Sequence, residues 1–275
     1  MSIIENNRIK LYYEYIKTDK SKPTIVLLNG LSQSTENWSL IIPNLKKLGM
    51  NILLHDFRGQ LKSDKPDMEY TFDIHVDDLK AILKELKIEK VHLVGTSYGG
   101  IIAMNFACGM RDMIESMVLF NTERKPDKSL RMYFKGIIEL FETNKNHAIL
   151  ASYYQGIADG FSEKYIEKNW QPFLERVKLF KNLPENFYVG FLNIFKNLEK
   201  EEYVTKKRIE KIKCPVLLIW SEQDKLAKRK YLELLHEEIP QSELALIPDA
   251  GHIVFFDIPE ILSTMITGFI YKHSI

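Results

Sequence analysis

Six short runs that are apolar from end to end constrain this chain more than any other feature. They are TIVLLNG (24–30), NILLHDF (51–57), VHLVGTS (91–97), SMVLFN (116–121), PVLLIWS (215–221) and ELALIPD (243–249). A strand with one wet face alternates polar and apolar residues. A strand covered on both faces has no polar face, and such strands belong to parallel sheets. Between the runs lie segments with helical spacing: ENWSLIIPNLKKL, DIHVDDLKAILKEL, GGIIAMNFACGM, KRKYLELLHEEI and PEILSTMITGFIYK. Strand alternating with helix predicts an α/β fold, a mostly parallel sheet with helices on both faces. The segment RIKLYYEYI (8–16) alternates more and is expected to be an antiparallel edge strand.

The alternation stops between residues 125 and 210. That stretch has no strong strand candidate and reads as several helices carrying many aromatics: Tyr133, Phe134, Phe141, Tyr153, Tyr154, Trp170, Phe173, Phe180, Phe187, Tyr188, Phe191 and Phe195. It is expected to be a helical cap (125–210) inserted into a core made of 1–124 and 211–275. Most of these rings are expected only to hold the cap together, and a few to face a ligand cavity. A chain of 275 residues is long enough for one large domain with such an insertion.

Composition removes several function classes. Formal net charge is +1, so no electrostatic feature points to nucleic acid or an anionic membrane. Runs such as EKEEYVTKKRIEKIK mix both signs and read as solvated helix faces. Cys108 and Cys214 are far apart in apolar surroundings and read as small buried hydrophobes, not a disulfide. No apolar run reaches the roughly 18 residues a membrane span needs. The start, MSIIENNRIKLYYEY, lacks the charged-then-apolar pattern of a secretory signal, so a cytoplasmic location is expected.

Gly95-Thr96-Ser97-Tyr98-Gly99 places a serine where the strand VHLVGT must become the helix YGGIIAMNFA. This G-x-S-x-G pattern fits a nucleophile elbow, in which a strained turn lifts the hydroxyl clear of the sheet beside a helix N-terminus. A serine needs a base, and His252 follows the last expected strand on a loop loosened by Ala250-Gly251. An acid must orient that imidazole. Asp224 lies just past a buried strand, where catalytic loops of such sheets sit. Glu222 and Glu123 compete for the role, and Asp249 is so close to His252 in sequence that a turn-forming role is favoured.

With the order Ser97, Asp224, His252 the chain resembles α/β-hydrolase-fold enzymes along essentially its whole length, in the esterase, lactonase and cofactor-free haloperoxidase branch with a helical cap. The resemblance supports Asp224 over Glu123, because the acid usually follows the strand after the cap, although some relatives carry it at the earlier place. It implies an oxyanion hole from the backbone N–H groups of Leu31 and Tyr98. In that family the early motif usually begins His-Gly, and here Asn29 stands in the histidine position. HDFRGQLKSDKP is similar to the D-x-R-G-x-G-x-S loop, with Leu61 where glycine is usual. Asp56 and Arg58 read as loop anchors. Serine at 97 excludes the mechanisms of this fold that need a carboxylate nucleophile. No H-E-x-x-H, Cys/His cluster or G-x-x-x-x-G-K-[ST] occurs.

The expectation is therefore a serine hydrolase of a small, apolar carboxylic ester or lactone, with no cofactor and no metal. Two alternatives stay open on the same fold: an acyltransferase to an alcohol or thiol, and a non-catalytic ligand sensor.

Overall fold

A computed structural model of the chain describes residues 2–18, 22–200 and 202–274. Eight strands form one sheet: β1 (Ser2–Asn6), β2 (Ile9–Ile16), β3 (Thr24–Leu28), β4 (Asn51–His55), β5 (Val91–Thr96), β6 (Ile114–Phe120), β7 (Val216–Ser221) and β8 (Ser242–Ile247). Their order is β1-β2-β4-β3-β5-β6-β7-β8, antiparallel at β1, β2 and β4 and parallel elsewhere. The α-helices are α1 (Ile42–Leu45), α2 (Phe72–Glu85), α3 (Tyr98–Gly109), α4 (Lys128–Thr143), α5 (Lys145–Gly160), α6 (Glu163–Lys168), α7 (Trp170–Val177), α8 (Glu185–Leu198), α9 (Lys206–Ile209), α10 (Arg229–Glu238), α11 (Val254–Asp257) and α12 (Pro259–Lys272). The fold is an α/β-hydrolase fold. All six unbroken apolar runs are strands.

Their lack of alternation has the expected cause. Val26, Leu28, Leu53, Leu93, Leu119 and Leu218 pack on one side with Leu79 and Ile82 of α2, Ile102 and Phe106 of α3, and Leu235 of α10. Ile25, Leu27, Leu54, Val94, Val118 and Ile219 pack on the other with Leu45 of α1 and Leu262, Ile266 and Ile270 of α12. β3 to β7 therefore bury both faces, and hydrophobic burial of this double kind is the main force holding the sheet; β8, at the edge, leaves Leu244 and Leu246 exposed despite its apolar run.

Three expectations change. The segment at 9–16 is antiparallel but not the edge, because β1 pairs outside it, with Asn6 opposite Ile9. The turn between them has Asn7 and Arg8 at φ 51° and 67°, the left-handed pair that a two-residue hairpin requires. The segment ENWSLIIPNLKKL does not form one helix. It breaks into a 3₁₀ turn (Thr35–Trp38), the four residues of α1 and a second 3₁₀ turn (Lys46–Leu48). Pro43 sits in the first turn of α1, where its missing N–H is harmless; farther along it would break the ladder. The mixed-charge run 199–213 is helical only over α9; Glu201 within it lies outside the described residues. Cys108 and Cys214 are both free thiols. No helix among the described residues is long and apolar enough to cross a membrane.

His55 and His75 are fully buried below the elbow, around Phe57, with ring centroids 4.8 and 5.4 Å from it. None of their four ring nitrogens has a hydrogen-bond partner among the described residues. Burial of the imidazolium pushes His55 down to about 4 and His75 to about 3. The unfolded chain takes up these protons near pH 6.5 while the folded chain refuses them, so stability falls as pH drops from about 6.5 towards 4. Each histidine contributes at most about 1.4 kcal/mol per pH unit to that slope. Urea midpoints across this window should fall for wild type and fall less for His75→Phe, which keeps an aromatic ring among Phe57, Tyr70 and Tyr98. An equal slope in the two proteins would remove His75 as a cause.

Candidate active site

Ser97 joins β5 to α3 with φ 49° and ψ −118°, a conformation that costs an L-residue of order 1–3 kcal/mol. Its surroundings hold it there. The Ser97 N–H donates to Phe120 O at 3.1 Å, and Ser97 O accepts from Gly100 N at 2.9 Å and from Thr122 Oγ1 at 2.8 Å. The glycines are demanded by contact distance. A Cβ on Gly99 would lie 2.2 Å from Leu28 O, and one on Gly95 would lie 2.7 Å from Gly99 O. Tyr98 is the first residue of α3, so its N–H has no acceptor within the helix and lies at the positive end of the helix dipole.

His252 sits between β8 and α11, buried, with Nδ1 2.8 Å from Asp224 Oδ2. Asp224 Oδ1 accepts the N–H groups of Leu226 at 2.8 Å and Ala227 at 2.9 Å, which fixes the carboxylate plane. Its rival Glu222 is exposed, and its Oε2 accepts from Asp249 N at 3.1 Å. Asp249 itself has φ 55°, consistent with a turn. Glu123 lies on the same cavity as His252 but makes no hydrogen bond to it. The structure therefore brings Asp224, and none of its three competitors, into hydrogen-bond contact with His252.

Two residues not singled out in the sequence position this arrangement. Asn121, at φ 50° just after β6, donates through Nδ2 to His252 O at 2.8 Å, and its Oδ1 accepts from Ser221 N at 3.0 Å. It ties the ends of β6 and β7 to the histidine loop. Asp257 accepts from Gly251 N at 2.7 Å and from Ser162 Oγ at 3.0 Å, joining that loop to the start of α6. Neither has a local motif; both are recognisable only once distant segments meet.

The early loop settles the role of Asn29. Its Nδ2 donates to His55 O at 3.0 Å, and its Oδ1 accepts from Trp38 Nε1 at 2.6 Å. The side chain is fully buried and spent on the scaffold, so it offers nothing to a ligand. Gly30 N donates to Gln33 Oε1 at 2.8 Å, which shapes the turn leading into Leu31. Leu61 occurs at φ 33°, which accounts for glycine being usual there. Asp56 accepts from Thr35 N at 2.9 Å and Lys62 N at 3.1 Å, while Arg58 clasps Asp78 in a two-point pair at 2.7 and 2.9 Å. Neither lines the cavity.

Ser97, His252, Leu31 and Tyr98 all border one cavity of about 260 Å³. Most of its wall is apolar and comes from the helices between β6 and β7. Seven of the twelve aromatics noted in the sequence line it, all except Phe141, Tyr154, Trp170, Phe187 and Tyr188. More rings face the cavity than expected, because α4, α5 and α8 turn their aromatic faces down towards the sheet instead of only towards one another.

Comparison with known proteins identifies the family of this fold. The model of the alpha/beta hydrolase fold family matches residues 23–259. The chain is 26% identical over 251 residues to the human serine hydrolase BPHL, covering 90% of this chain and 78% of that protein. Among solved structures, MGS-M2, an alpha/beta hydrolase enzyme from a Medee basin deep-sea metagenome library, superposes with a TM-score of 0.89 at 30% identity, covering 98% of this chain and 97% of that one. The enol-lactonase of Burkholderia xenovorans LB400 superposes at 0.86 with 20% identity, covering 98% of this chain and 100% of that one. With a family match across most of its length, the chain belongs to the alpha/beta hydrolase fold family.

Proposed function

We propose that this hydrolase-family chain cleaves small, apolar carboxylic esters or lactones through an acyl-enzyme on Ser97. The observation carrying this reading is a strained serine on the wall of an apolar cavity that also holds an imidazole, itself 2.8 Å from a buried carboxylate. Ser97 Oγ attacks the carbonyl carbon, and His252 takes its proton. The oxyanion that forms is held by the N–H groups of Leu31 and Tyr98, donors that need no reorganisation during the step. His252 then passes the proton to the leaving alcohol oxygen as the ester bond breaks. Water, deprotonated by His252, releases the acid and restores Ser97. Asp224 keeps the His252 Nδ1–H pointed at itself and stabilises the imidazolium. The helical segment 125–210 acts as a cap whose rings select for apolar groups of modest size. An enol-lactonase and a Thermogutta terrifontis esterase among the structural neighbours fit this reading.

Hydrolysis of p-nitrophenyl esters from acetate to decanoate should peak at short to medium chains, since the cavity is only about 260 Å³. Ser97→Ala should lower kcat at least about a thousandfold. Full activity in Ser97→Ala would refute the nucleophile. A folded wild type that turns over no ester, but transfers acyl groups when alcohols or thiols are added, would make the chain an acyltransferase. A wild type that only retains ligand would make it a sensor.

The acid is tested separately. Asp224→Asn should lower kcat by about 10³–10⁴ through loss of the correct imidazole tautomer, and Glu222→Gln should stay within about twofold of wild type. Equal losses in both variants would mean that the carboxylates act through loop stability, and urea midpoints measured alongside would record it.

A further inference from the structure

The cavity wall carries one carboxyl group that the proposed reaction does not use. Glu123 follows Thr122, the residue whose hydroxyl holds Ser97 O, and it lines the same cavity as Ser97 and His252. It is about 5% exposed, and its Oε1 has no hydrogen-bond partner among the described residues. Its polar neighbours are committed elsewhere. Asp224 is shared among His252, Leu226 and Ala227; Tyr203 donates its hydroxyl to Leu198 O at 3.0 Å; Lys228 pairs with Asp127.

A buried carboxyl with one oxygen unpaired is poorly satisfied by the protein, and a ligand in the cavity that hydrogen-bonds to the group offsets part of its desolvation. The charge state of the group decides which ligand does so. Burial, with the Asp127 and Asp224 carboxylates beside it, pushes Glu123 up to about 8 against the opposing pull of Lys228 and Lys230; Tyr203 interacts with it electrostatically, and His252 shares the cavity. At neutral pH the group is therefore a carboxylic acid, with a hydrogen to donate. A reserve role on His252 is unnecessary, because Asp224 already occupies Nδ1.

We propose that Glu123 is a substrate-recognition residue whose carboxylic acid donates a hydrogen bond to a neutral oxygen, of a ketone, ether or hydroxyl, carried by the ester or lactone. The inference rests on the hydrolase reading and names the substrate class it leaves open: apolar, with one acceptor oxygen beyond the scissile group. An ammonium group is disfavoured because it would enter a largely apolar cavity and require Glu123 to ionise there.

The test compares p-nitrophenyl hexanoate with isomers bearing one ketone oxygen stepped carbon by carbon along the acyl chain, together with ketone-bearing alkyl hexanoates. Wild type should favour at least one isomer by about tenfold or more in kcat/KM. Glu123→Leu should bring that ratio to about one whatever its absolute turnover, and Glu123→Gln, which still donates, should keep part of it. The wild-type ratio should decline above about pH 8 as the donor is lost, while the Glu123→Gln ratio should not. A ratio near one for every isomer in wild type overturns the proposal. So does a preference for the ammonium-bearing 6-aminohexanoate ester, or a Glu123→Leu variant that loses turnover on all esters with its ratio unchanged. Calorimetric binding of the matched primary amides separates this from the hydrolase reading. Tighter binding of a keto-amide by wild type but not Glu123→Leu, in a protein without ester turnover, would refute hydrolysis and keep the recognition site.

Discussion

The closeness with which α3 lies against the sheet governs the site. Gly99 rests so near the end of β3 that an added carbon would stand 2.2 Å from Leu28 O, and the turn that brings it there leaves Ser97 at φ 49°. One contact thus sets two things. It points the serine side chain out of the sheet, and it places the first N–H of α3 beside the loop that carries Leu31. Strain at Ser97 persists because the hydrogen bonds from Gly100 and Thr122, and the one to Phe120, over-determine its backbone.

A second layer of polar ties carries that geometry outward. Asn121 and Asp257 connect strand ends, the histidine loop and the N-cap of α6, so the loop backbone is held at His252 O and at Gly251 N. Asn29, Trp38 and Asp56 do the same for the early loop. Both groups lie at the carboxyl ends of parallel strands. There the last carbonyl and N–H groups of the sheet lack strand partners, and buried backbone groups must find others.

Three carboxyl groups that were candidates for one role show how far environment separates a single residue chemistry. Asp224 receives two backbone N–H groups and the imidazole; Glu222 stands in solvent against a turn; Glu123 is buried at the cavity wall with no donor at Oε1. Burial disfavours charge on the third. Residue type alone would have ranked them equal.

The parallel sheet was legible because burial on both faces leaves a record, runs with no polar side, in five of the six cases, and the elbow because its glycines must stand two residues either side of the serine. Asp224 and His252 could be placed at strand ends, and the resemblance paired them, but their contact forms only when β7 and β8 bring residues 28 apart together. β1 escaped notice because an edge strand buries little and so carries weak apolar patterning. The broken helix around Pro43, the clamp at Asn121, the spent side chain of Asn29 and the number of rings facing the cavity came only with the tertiary structure. Each depends on what a distant segment presents, and local sequence determines a residue's conformational preference, not its neighbour.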